Sequence, residues 1–254
     1  MKQILRVTGV LLAFFLANAG ANAAEEKAEE AGPWSGRVLL GYLATGGNTE
    51  NTSGNLEAGV NWDGERWHHT LSGRALGQSV DKDTTAESYK ATYDAKFDLS
   101  ERTYLFGLLD YNKNRFTSFP QQTFQFVGIG RRFIMTDKHA LNAEAGIGAS
   151  QSDTQQILPD GTRQSTGSID EFNWRASGDY KWTISETAWF LQALSVNSGS
   201  SNTFVESLTE LGASIYGALA LVLSYKIQHN TDVQPGTEET DTFASVNLEY
   251  AFGK

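Results

Sequence analysis

Between Trp34 and Phe252, apolar or aromatic side chains recur at every second position, with polar residues or glycine between them. That is the period of an extended strand whose two faces meet different surroundings. Phe172, Trp174, Ala176, Gly178, Tyr180, Trp182 and Ile184 alternate with Asn173, Arg175, Ser177, Asp179, Lys181 and Thr183. Tyr89, Ala91, Tyr93, Ala95, Phe97 and Leu99 alternate with Lys90, Thr92, Asp94, Lys96 and Asp98, and Val246, Leu248, Tyr250 and Phe252 with Ser245, Asn247, Glu249 and Ala251. Helical spacing would mix the two sets. Weaker alternation marks Leu56 to Trp62, Leu141 to Ile147 and Leu219 to Ile227. Twelve strands are predicted, at 34–45, 53–63, 66–79, 87–99, 103–113, 122–135, 139–152, 170–184, 187–197, 203–215, 218–230 and 241–252.

The connections predicted between them alternate in length. Tight turns fall at Asp63-Gly64-Glu65, Ser100-Glu101-Arg102, Thr136-Asp137-Lys138, Ser185-Glu186 and Tyr216-Gly217. Longer polar loops fall near 46–52, 80–86, 114–121, 153–169, 198–202 and 231–240. Short turns on one side and long loops on the other predict an all-β fold, a transmembrane antiparallel up-and-down β-barrel of about 12 strands with both termini periplasmic. Pro33 precedes the first strand, and Pro120, Pro159 and Pro235 sit in loops, where no ladder hydrogen bond is lost. Trp62, Trp67, Phe97, Tyr104, Phe133, Trp182, Trp189 and Phe252 gather beside the tight turns, as a periplasmic aromatic girdle would. Tyr89, Tyr111, Phe116, Phe172 and Phe204 would form the outer girdle. A soluble β-sandwich also alternates, but its inner face favours Val, Ile and Leu, whereas the apolar face here is rich in Gly, Ala and rings.

The first residues change the picture by giving a compartment. Lys2 and Arg6 precede an apolar run from Val7 to Ala17 that ends in Ala21-Asn22-Ala23, the form of a secretory signal with a small-x-small cleavage site. Residues 1–23 are read as that signal, 24–33 as an acidic linker and 34–254 as an outer-membrane β-barrel. Losing Lys2 and Arg6 takes the net charge from −10 to about −12. A chain this acidic makes a poor nucleic-acid partner. Without cysteine it has no disulfide, no thiolate nucleophile and no Cys-ligated metal.

Candidate chemistry lies on the polar face that should point into the barrel: Arg37, Glu57, Arg74, Lys90, Asp94, Lys96, Asp98, Glu144, Arg175, Asp179, Lys181, Glu210, Lys226 and Glu249. Both signs are present. These residues either line a hydrated, weakly selective pore or pair with one another and close the lumen, since charges in a narrow interior need partners. No catalytic set, metal site or cofactor is expected. The four histidines lack metal-ligand spacing, and His229 beside Asp232 is the one pair to weigh as a rim hydrolase acting on lipid or peptide. Gly128-Ile129-Gly130 and Gly146-Ile147-Gly148 lie inside strands with no following helix, so they speak for close packing rather than a nucleotide loop. The acids Asp81, Asp83, Glu238, Glu239 and Asp241 read as solvated loop charges, with divalent cations beside lipopolysaccharide as the alternative.

Several stretches in order resemble the family catalogued as domain of unknown function 481. They are Gly41 with Thr45-Gly46-Gly47-Asn48-Thr49, Asp63 to His69, Tyr93-Asp94 with Phe97 to Gly107, Asp110-Tyr111 before Phe116, and Gly128 to Phe133. The resemblance implies an outer-membrane barrel of unassigned activity and brings no catalytic residues. Phe252, followed here by Gly253 and Lys254, resembles the terminal signal read by the barrel-assembly machinery. The partners expected are outer-membrane lipids, lipopolysaccharide and that machinery, with the barrel a monomer. Three functions stand open: a small passive pore or envelope-structural protein, a rim hydrolase using His229 and Asp232, and a binding protein whose 153–169 loop meets an external ligand.

Overall fold

The alternation is realised as twelve strands, each long enough for about ten residues of tilted membrane crossing. They are β1 (Trp34–Thr45), β2 (Asn51–Asp63), β3 (Trp67–Val80), β4 (Asp83–Asp98), β5 (Thr103–Asn114) and β6 (Gln121–Met135), then β7 (His139–Ile157), β8 (Arg163–Thr183), β9 (Ala188–Ser198), β10 (Thr203–Tyr216), β11 (Leu219–Asn230) and β12 (Thr240–Phe252). This computed structural model describes residues 32–45, 51–80, 83–158, 161–233 and 238–253. The expected signal segment, most of the linker, the Gly46–Thr49 part of the family block, Asp81, Pro159 and Pro235 lie outside the described residues.

Every strand pairs antiparallel with its sequence neighbours, and β1 pairs with β12, so the sheet closes on itself. Closure leaves no strand edge along the seam from Gly36↔Phe252 to Gly41↔Asn247. The tight turns predicted from sequence lie at one end, with Trp34 and Phe252; this is called the turn end and the opposite one the loop end. Gly217 has φ 54°, the left-handed conformation that a two-residue turn between β10 and β11 requires.

One expected loop is corrected. The 153–169 segment is mostly ladder: β7 and β8 stay paired to Ile157↔Arg163, beyond an irregularity at Thr154/Gln155. Its short polar side chains alternate with no apolar face, so the pattern is silent although the backbone pairs. Likewise β4 begins at Asp83, so the 80–86 loop shrinks to a tight connection. Length at the loop end is carried by extended hairpins more than by loops.

Register divides each strand into an inner and an outer set. Leu71, Tyr93, Leu109, Ile129, Ile147, Trp174, Leu194, Leu211, Leu223 and Leu248 point outward and are 39–55% exposed. That is an apolar belt with no protein to cover it, the feature that distinguishes a membrane barrel from a sandwich. Along the middle of the barrel the inner set is buried or half-buried.

Candidate functional site: a lumen filled by ion pairs and rings

The inner side chains meet across the barrel, between strands that are not neighbours. Near the turn end, Arg37 on β1 donates to Glu210 on β10 at 2.9 Å, to Glu57 on β2 at 3.2 Å and to Glu249 on β12 at 3.4 Å. Arg74 on β3 holds the other oxygen of Glu57. Lys96 on β4 donates to Glu144 on β7 at 2.7 Å, and Glu144 also accepts from Tyr104 and Ser177. Towards the loop end, Lys90 donates to Glu206 at 2.9 Å and Asp110 at 3.0 Å, and Lys226 to Glu206 at 3.0 Å. Each of these five cations therefore has a carboxylate in hydrogen-bond reach, the condition under which buried charge is tolerated.

Rings fill the rest of the section. Tyr104, Phe106, Leu108, Phe124, Phe126 and Phe204 form one buried cluster, with Phe124 stacked on Phe204 across the lumen at 5.9 Å between centroids. Tyr104 and Phe106 lie flat over the neighbouring strands because β6 and β7 present no side chains beneath them: a Cβ on Gly130 would run into the Tyr104 ring, and Cβ atoms on Gly128 and Gly146 into Phe106. This is the work of the Gly-Ile-Gly pairs, whose isoleucines face outward. Arg175 lies over the Phe126 ring at 5.7 Å and donates to Asn197 at 2.7 Å. At the loop end the connection between β5 and β6 folds over the mouth, fastened by Gln155, whose side chain donates to the carbonyls of Arg115 and Thr117. Phe119 of that connection is buried and faces Lys90, Lys226 and Phe204 across a cavity of ≈ 30 Å³, about one water.

All of the charged residues proposed from sequence to line the lumen are placed by register on the inner face. Asp179 accepts from Asn142 at 2.8 Å, Asp94 sits beside Lys96 at 3.8 Å, and Asp98 accepts from Arg132 at 2.8 Å near the turn end. Lys181 faces a cavity of ≈ 280 Å³ there. The sequence reading missed Glu206 and Asp110. Glu206 shares the face of Glu210 four residues on, which was a usable signal; Asp110 lies in β5, where both faces are apolar and parity carries none.

The aromatic girdle needs three corrections. Trp62, Trp67, Phe97, Phe133, Trp182 and Phe252 are on the outer surface near the turn end, with Trp67 stacked on His69 and Trp182 on His139. Tyr104 instead points inward and is 1% exposed, because it shares the parity of Phe106 and Asp110. Trp189 points inward over Gly212, and Phe204 inward onto Phe124. The rim pair is not assembled: His229 Nδ1 lies 2.8 Å from Thr240 Oγ1, while the Asp232 amide donates to Asn202. Among the described residues no group of three His, Asp or Glu is placed to hold a metal.

Comparison with known proteins agrees with this architecture. The family described as "Protein of unknown function, DUF481" matches residues 38–252. The chain is 26% identical to the uncharacterized protein YdiY of Escherichia coli (strain K12), over 86% of this chain and 83% of that one. In fold it is similar to the COG4313 outer membrane channel from Pseudomonas putida F1, with TM-score 0.50 and 10% identity, over 92% of this chain and all of the other. It is also similar to the NanC porin, with TM-score 0.46 and 12% identity over 85% of this chain and 97% of that one.

Proposed function

The chain belongs to the family of unknown function DUF481, and from that premise and its occupied interior we propose a Gram-negative outer-membrane barrel whose lumen is held shut by its own side chains. The chain's role is then to be a sealed element of the envelope, standing as a monomer among phospholipid and lipopolysaccharide after insertion by the barrel-assembly machinery. The observation that carries this is burial. Side chains lining a water-filled pore are wet, whereas here Glu210 is 1% exposed, Phe126 2% and Lys226 8%. An open passive pore would need the Lys90–Glu206, Lys96–Glu144 and Arg37–Glu210 links and the Phe124–Phe204 stack to part together. The unassembled His229–Asp232 pair weighs against a rim enzyme. Swelling of proteoliposomes in an isotonic pentose tests the reading: vesicles carrying the folded chain should swell no faster than protein-free vesicles, and porin-like swelling would overturn it.

A further inference from the structure

On β6, Arg131 lies on the outer face of the wall, whereas its neighbour Arg132 faces the lumen and takes Asp98 at 2.8 Å. Arg131 is exposed and stands between Ile129 and Phe133, opposite Thr103 on β5 and Ala143 on β7. A cation on the lipid side of a strand is tolerated near the headgroups, where its long side chain reaches polar surroundings. The tight turns at 100–102 and 136–138 flank it and put it at that level.

A second guanidinium is brought to the same place. The β6–β7 register skips Phe133, between Arg132↔Asn142 and Ile134↔Leu141, a bulge of the kind that re-aims a strand's groups. The Phe133 carbonyl accepts from Nη1 of Arg102, in the β4–β5 turn, at 3.4 Å, and Arg131 Cζ lies 6.0 Å from the centroid of the Phe133 ring. Two exposed cations thus meet at one residue, and among the described residues neither has a carboxylate in ion-pair reach. Glu101 and Asp137 stand exposed in the adjoining turns and pair with neither, while both oxygens of Asp98 are taken, by Arg132 and His68. Like charges gathered in this way are stabilised by an anion between them.

We propose that Arg102 and Arg131 form a binding site for the phosphate of an anionic glycerophospholipid, in the leaflet beside the tight turns. Guanidinium groups match phosphate oxygens two at a time. The occupant is a lipid rather than free phosphate because the site runs without a break into the apolar belt. Leu105 and Ile129, paired with each other and 45% and 50% exposed, come next along the wall towards its middle, where acyl chains lie. The chain as a whole carries −10, so a preference for anionic lipid comes from this local pair and not from net charge. The site rests on the membrane reading above and is independent of whether the lumen is shut.

The test is native mass spectrometry of the folded chain in detergent, mixed with equal amounts of dioleoyl phosphatidylglycerol and dioleoyl phosphatidylcholine. Phosphatidylglycerol should be retained over phosphatidylcholine by about fivefold or more. The Arg102→Gln, Arg131→Gln double variant should retain the two equally. Arg163→Gln, which removes the arginine lying over Phe116 at the loop end, should keep the preference. Excess inorganic phosphate should leave the bound lipid in place, and its displacement would overturn the lipid assignment. Heat-modifiable gel migration verifies that each variant is folded. Equal retention by the wild type, an unchanged preference in the double variant, or an equal loss in Arg163→Gln would each overturn the site. Retention of neither lipid would overturn the site and count against the membrane reading as well.

Discussion

Lys90 on β4 reaches Glu206 on β10 at 2.9 Å, joining strands that stand on opposite sides of the barrel. The same carboxylate takes Lys226 at 3.0 Å and the same ammonium takes Asp110 at 3.0 Å, so two cations and two anions neutralise one another in the lumen. Such a link forms only when the space between the walls holds side chains rather than bulk water.

Removing one member of this group leaves the others mismatched. Lys90→Met keeps the length of the side chain but strands Asp110 and half of Glu206 without a cation, and breaking a buried pair from one side costs about 3–5 kcal/mol. The folded barrel should lose about that much in a urea titration followed by heat-modifiable migration. The double variant Lys90→Met, Asp110→Asn should recover part of the loss.

The flat rings against the glycine wall make a second, steric prediction. Gly130→Ala puts a methyl group into the Tyr104 ring. Overpacking of this kind costs about 1–3 kcal/mol. Adding Tyr104→Ala to Gly130→Ala should relieve the clash, so the pair should fall short of additivity in the same titration.

Inward and outward tryptophans are separable by what reaches them. Trp67 is 49% exposed on the outer belt, whereas Trp189 faces the lumen over Gly212. In variants retaining a single tryptophan, brominated lipid should quench Trp67 strongly and leave Trp189 nearly unaffected. Strong quenching of Trp189 would put it back in the girdle.

Twelve strands, their tight turns and the inner position of Arg37, Glu57, Lys90 and Glu249 were legible because most strands have one polar or charged face and one apolar face. Where both faces are apolar, parity says nothing. In β5, Leu105 and Leu109 face out while Phe106 and Leu108 face in, and in β9 Phe190 faces out while Trp189 and Leu191 face in, so Tyr104 and Trp189 were assigned to the wrong side. Phe204 failed for a related reason: its partner Phe124 is on a strand far away in sequence, and only closure of the barrel brings them together. The extended β7–β8 hairpin was hidden because the ladder there is made by backbone between residues such as Gln155 and Ser165, whose side chains favour neither face. Whether charges of both signs pair or stay wet depends on cross-lumen distances, which no local pattern encodes.

The most direct test of a lumen shut by its own side chains is planar-bilayer recording of the folded wild type beside a Phe124→Ala, Phe204→Ala, Lys90→Met variant. The wild type should show no stable conductance steps, and the variant, stripped of the stack and the cross-lumen cation, should show them. Regular steps from the wild type, of the same size as those of the variant, would contradict the account.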